Sequence, residues 1–232
     1  SYAIKCLRQN NSDKFKTEVS NLKRFSQKDH LHLIKLLMTF EYQKKFYLLF
    51  PWADGNLLGF WKDHPEPFRQ ERDHKTATWF SKQCLGIVEG LNMIHKADIP
   101  MGDDEDDTPN HQTHRRHGDL KPENILWFRK CESSYGRTLP VLKIFDFGLT
   151  RFHRTRSMSH IENVAVSLTY RPPEHDLAKM VSQNYDIWTL GCLLLEFVTW
   201  YLLGWESVDE FSKARTTAGT NIIWEDVFFQ FD

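Results

Sequence analysis

Asp119, Lys121 and Asn124 stand close together in the run His117-Gly118-Asp119-Leu120-Lys121-Pro122-Glu123-Asn124, and a second carboxylate opens the later triplet Asp146-Phe147-Gly148. A carboxylate can accept or orient a hydroxyl proton, and an ammonium can meet an anionic phosphoryl group. An amide oxygen and a second carboxylate can together hold a hard divalent cation such as Mg2+. These residue types at these spacings are suited to handling a metal-bound nucleoside triphosphate. In such chemistry the protein positions and neutralises more than it makes bonds.

Elements of definite kinds are needed to bring these groups together. The chain opens on an apolar strand, Tyr2-Ala3-Ile4-Lys5-Cys6-Leu7, which carries a cation. Phe15, Val19 and Leu22 recur at helical spacing with Lys14, Lys16, Lys23 and Arg24 opposite, which predicts an amphipathic helix bearing Glu18. Two runs of strand formers, Ile34 to Phe40 and Phe46 to Phe50, flank a polar turn and predict an antiparallel pair. Turn formers from Pro51 to Asn56 then mark a boundary. Beyond it Phe80, Cys84, Ile87, Leu91 and Ile94 give the strongest helical period in the chain. Residues 98–116, rich in Asp and His, read as a surface insertion, because that composition buries too little apolar surface to order itself. The acidic run lacks the alternating ligands of a calcium loop, and His111 and His114 lack a zinc pattern. Ile125 to Phe128 and Val141 to Phe145 predict two short strands.

With those elements in place, the run from His117 and the triplet from Asp146 resemble the H-R-D-L-x-x-x-N and D-F-G motifs of eukaryotic-type protein kinases. Ala3-Ile4-Lys5 resembles the family's V-A-I-K strand. Thr169 to Glu174 is similar to its A-P-E segment, and Asp186 to Gly191 to the helix that anchors the catalytic loop. The resemblance implies an α+β, two-lobed fold, with residues 1–52 as part of a small β-sheet lobe carrying one helix and residues 53–232 as a larger, mainly helical lobe. It implies ATP and Mg2+ as cofactors, Asp119 as the base, and Lys121 on the transferred phosphoryl group. Lys5 would grip the nucleotide phosphates with Glu18 orienting it, and Asn124 and Asp146 would hold the metal. Phe50 would stand at the back of the adenine pocket, with Trp52 and Ala53 as its backbone contacts. Lys121-Pro122-Glu123-Asn124 looks like the serine/threonine branch, in wording similar to fungal members, so the implied partner is a protein bearing Ser or Thr.

Composition is compatible with this and closes off other classes. The chain has 232 residues, with 30 Lys and Arg against 31 Asp and Glu, so no basic field advertises nucleic acid or an anionic membrane. Four cysteines at irregular spacing, with no CxxC pair, argue against a disulfide framework or zinc site and favour an intracellular setting, cytoplasmic or nuclear. Leu193 to Trp205 reads as a buried helix too short to span a bilayer. Oligomeric state has no signature.

The chain departs from the family pattern in two respects. Gly118 replaces the Arg that pairs with a phosphorylated activation loop, so activity is expected not to depend strongly on phosphorylation of Thr155, Ser157 or Ser159. No G-x-G-x-x-G run precedes Lys5, and the family's later Arg partner for Glu174 is expected beyond Asp232, with Arg215 the one conceivable stand-in. The segment therefore reads as truncated at both ends, with weak ATP binding. Two alternatives stay open. One is a pseudokinase or scaffold, against which the full set Lys5, Asp119, Asn124 and Asp146 argues. The other is a small-molecule kinase of the aminoglycoside phosphotransferase type, against which the Asp-Phe-Gly and Pro-Pro-Glu segments argue.

Overall fold

The computed structural model describes residues 1–7, 19, 29–43, 45–67, 73–96, 114–129, 139–146, 152–153, 159–160, 168–177, 180–218 and 224–229. A three-stranded antiparallel sheet comes first, with β1 (Tyr2–Leu7) and β2 (Met38–Tyr42) on either side of β3 (Lys45–Pro51). Strand alternation sorts its two faces: Tyr2 and Ile4 are exposed, while Ala3 and Lys5 are half-buried opposite Phe50 and Leu48. The register thus puts Lys5 and Phe50 on one face. The first predicted run of strand formers is corrected at its start, since the ladder begins at Met38. Residues 32–34 instead hydrogen-bond to Ile144 through Ile34 N–H (3.0 Å) and the His32 carbonyl (2.8 Å). The expected helix around Glu18 lies outside the described residues, apart from buried Val19.

A second sheet runs β4 (Gly55–Asn56), β6 (Ile125–Phe128), β7 (Val141–Ile144) in spatial order. Helix α1 (Leu57–Asp63) starts at Asn56, whose side chain caps Gly59 N–H at 2.9 Å. Helix α2 (His74–His95) is capped by Asp73, which accepts from Lys75 N–H and Thr76 N–H. Its apolar face places Trp79, Ile87, Leu91 and Ile94 in the core. Gln83 and Trp79 fix it to the second sheet: the Gln83 Oε1 accepts from Leu142 N–H at 3.0 Å and the Trp79 indole donates to the Pro140 carbonyl at 2.7 Å.

The short helix α3 (Pro173–Leu177) precedes α4 (Gln183–Leu203), which starts on a Ser182 cap and ends at Gly204, where φ is 92°. This corrects the reading of Leu193 to Trp205. The helix has 21 residues and is long and apolar enough to cross a membrane, but half of its most apolar window is buried in the protein, as in a core helix. Its Phe197 and Trp200 stack with Trp61, and the Trp200 indole donates to the His64 carbonyl at 2.9 Å. Helix α5 (Trp205–Arg215) and the hairpin β11 (Thr216–Ala218) and β12 (Trp224–Asp226) follow. Two further pairs occur among the described residues: β5 (His114–Arg115) with β8 (Phe152–His153), and β9 (Ser159–His160) with β10 (Met180–Val181). The first of these takes in the end of the expected insertion, residues 98–116. Residues 114–116 belong to the structure, with Arg116 buried, and the rest of that acidic stretch lies outside the described residues.

Candidate active site

The turn from His117 to Asn124 is shaped from beneath. Asp186, in the first turn of α4 and fully buried, accepts from the His117 N–H at 2.6 Å and the Gly118 N–H at 2.8 Å. It also meets His95 Nε2, from the end of α2, at 2.7 Å. One carboxylate thus satisfies two buried backbone donors and joins two helices to the turn. Gly118 has φ of 84°, a left-handed conformation that suits a residue without Cβ.

His117 works from the same place. Its buried ring sits with Nδ1 3.3 Å from the Asp119 N–H and Nε2 3.0 Å from the Phe145 carbonyl. The tautomer with hydrogen on Nε2 satisfies both contacts. The ring therefore spans from the residue that bears the first carboxylate to the residue just before the second.

Lys121 precedes a 3-10 turn, Pro122–Asn124, whose first residue has its φ fixed by the proline ring. That turn sends Asn124 back toward Asp119. Asn124 Nδ2 donates to the Asp119 carbonyl at 2.7 Å and to its Oδ2 at 2.9 Å, and Lys121 Nζ pairs with the same Oδ2 at 3.0 Å. Because the amide nitrogen is spent on Asp119, Oδ1 is the Asn124 atom left to ligate a cation. The Asn124 carbonyl accepts from Phe145 N–H at 2.9 Å, tying this turn to the end of β7.

Asp146 follows with φ of 67°, a conformation unusual for a residue with a side chain, of the kind proteins hold where a group must be aimed. Its Oδ1 accepts from Lys5 Nζ at 2.9 Å, a contact between residues 141 positions apart that joins the first sheet to the turn. The Lys5 ammonium also lies 5.9 Å from the Phe145 ring centroid. Phe50 is buried at the end of β3 and meets the Phe145 ring edge-on at 5.4 Å. Lys5, Phe50, Asp119, Lys121, Asn124 and Asp146 are therefore linked through direct contacts and the Phe145 backbone.

Trp52 leaves β3 with an exposed side chain and Ala53 is half-buried beside it. Glu18, Phe147, Gly148, Thr155 and Ser157 lie outside the described residues, as does the Ser159 side chain. Glu174 falls in α3. Arg215 is corrected from stand-in for its partner: it pairs with Glu196 at 2.8 Å and Asp226 at 2.9 Å. His95 was missed entirely, because nothing local connects a histidine at a helix end with an aspartate 91 positions later. No group of three metal-ligating side chains occurs among the described residues.

A small sheet lobe whose lysine meets an acidic residue at the end of a large-lobe strand, over a turn presenting Asp, Lys and Asn, defines the two-lobed kinase-like fold. The protein kinase domain model matches residues 108–226, just over half of the chain, and the chain belongs to that family. Among curated relatives it is 28% identical over 199 residues to "GLH-binding kinase 1" of Caenorhabditis elegans, covering 82% of this chain. It is 29% identical over 184 residues to "Probable cyclin-dependent kinase 8" of Dictyostelium discoideum, covering 78% of this chain. The chain spans 42% of the length of each of these relatives.

Proposed function

We propose that the chain carries the phosphotransfer centre of a protein serine/threonine kinase that uses ATP and Mg2+. The observation that carries the reading is the ion pair of Lys5 with Asp146 at 2.9 Å, beside a turn in which Lys121 and Asn124 both converge on one Asp119 oxygen. In this reading Asp119 orients the substrate hydroxyl and takes its proton. Lys121, 3.0 Å away, neutralises charge on the phosphoryl oxygens as that hydroxyl attacks. Lys5 grips the nucleotide phosphates, and Glu18 is its proposed orienting partner.

Asn124 and Asp146 fit Mg2+, since the amide oxygen left by the Asp119 contacts and a carboxylate are hard oxygen donors. Bound there, the ion would neutralise phosphate charge. Phe50 closes the back of the nucleotide pocket, and the backbone of Trp52 and Ala53 faces the base. Serine or threonine as acceptor rests on the Lys121-Pro122-Glu123-Asn124 wording.

Labelled phosphate transfer from Mg-ATP to generic serine/threonine substrates tests the proposal, using the longest natural protein that contains this chain and Asp119→Asn beside it. The variant is expected to lose on the order of 10² to 10⁴ in rate while its melting temperature stays near that of the parent. Absence of transfer by a folded parent across several substrates would move the reading to a scaffold.

A further inference from the structure

Away from the candidate active site, residues 29–35 cross against β7, and a half-open cavity of about 230 Å3 lies between them. It is lined by Asp29, His30, Leu31, Leu33, Ile34 and Lys35 and by Lys143 of β7; Leu31 is exposed, whereas Leu33 and Ile34 are almost wholly packed into the core. The volume lies below the span of roughly 300 to 1,000 Å3 that takes drug-sized molecules, so it suits a smaller one.

The charges around it are unevenly matched. Lys35 is paired with Asp29 at 3.4 Å, and His30 stands 3.9 Å from Glu89. Lys143 makes no ion pair or hydrogen bond to a described residue, and its ammonium lies 5.6 Å from the Phe128 ring centroid. Burial pushes that ammonium below the usual lysine range; nearby Lys35 pushes the same way, and Asp29 opposes. Asp29 acts on it without forming an ion pair, so a half-buried cation is left incompletely neutralised, and an incoming anion relieves that cost.

We propose that this cavity binds a small amphipathic monocarboxylate, its carboxylate on the Lys143 ammonium and its short apolar body against the exposed Leu31 side chain. Charge count selects a monoanion. Among the lining residues Asp29 offsets Lys35, which leaves Lys143 as the cation without an ion pair; one carboxylate matches it, whereas a dianionic phosphate would bring a second charge that no lining cation is free to meet. The 29–35 segment that the ligand would touch is bonded to Ile144, two residues before Asp146, so the site lies against the strand that leads into the candidate active site.

Benzoate serves as the probe, with the chain carrying 13C at the lysine side chains and NMR as the readout. The Lys143 signal, assigned with Lys143→Met, is expected to shift and saturate at millimolar benzoate, the range for a fragment making one charged contact. Methyl benzoate, which lacks the charge, should bind at least about tenfold more weakly, and Lys143→Met should lose benzoate binding by a similar factor. Lys143→Arg retains the cation and should retain binding, which separates a lost contact from a lost fold. The proposal fails if benzoate produces no saturable shift, if Lys143→Met binds it as well as the parent does, or if phenyl phosphate binds more tightly than benzoate. None of these readouts depends on phosphotransfer activity.

Discussion

Gly118 and Asp186 make the candidate turn a single mechanical unit. The glycine supplies the φ of 84° that points its own N–H and that of His117 at the same carboxylate. Gly118→Ala would place a Cβ in left-handed backbone, which costs roughly 1–2 kcal/mol, so urea titration should show a loss of that order. Asp186→Ala is the sharper change, because it leaves two buried N–H groups without an acceptor at about 1–3 kcal/mol each. Denaturant unfolding should therefore show a larger loss than for Gly118→Ala. A loss under about 1 kcal/mol would mean that water or another group replaces the carboxylate. Gly118 is legible because the 117–124 run holds chemistry and turn together, and Asp186 because it opens a second segment, Asp186 to Gly191, that resembles the family's anchoring helix. The His95 contact on the same carboxylate was not legible, since it exists only once α2 and α4 have packed.

Among the elements, α2 was the easiest to read. One polar face, one apolar face and an Asp73 cap give it both a period and a start. Helix α4 is apolar nearly all round and so offers no period; its extent shows only in the Ser182 cap and the turn at Gly204. What fastens α4 to the elements after it was also hidden. Glu196, buried on α4, accepts from the Tyr170 hydroxyl at 2.6 Å and pairs with Arg215 at the end of α5, which also pairs with Asp226 of β12. Phe211 and Phe228 lie against the guanidinium at 4.2 and 3.9 Å from their ring centroids. Burial, followed by the neighbouring Glu196 charge, pushes the Tyr170 phenol far above its usual range, so it remains a donor. Arg215→Met would leave the Glu196 charge buried with only that phenol to meet it. A loss of about 3–5 kcal/mol is expected by denaturant titration. Glu196→Gln in the Arg215→Met background should recover part of it, because the charge that lost its partner is then gone.

For the molecule as a whole, the joint between the small sheet and the helical part turns on His32. Its ring lies within hydrogen-bonding distance of the Leu142 carbonyl through Nδ1 (2.8 Å), and it rests on α2 where Gly86 has no side chain. A Cβ on Gly86 would stand 2.1 Å from the ring, so the close approach requires glycine there. Burial pushes the His32 pKa down; the Leu142 carbonyl pushes it up, His30 and Lys143 push it down, and Glu89 pushes it up. The folded protein thus prefers the neutral ring, while the unfolded chain takes up a proton near the ordinary value of about 6.5. That stability is fully present above about pH 6.5 and is lost as the pH falls through the lowered folded value, with a slope of at most about 1.4 kcal/mol per pH unit for one proton. Melting curves from about pH 7.5 to about pH 5 should therefore fall more steeply for the parent than for His32→Asn, which can still donate to Leu142 but cannot titrate. Parallel curves would mean that His32 keeps its charge state on folding, and that acid acts on the joint through the other ionisable groups around it.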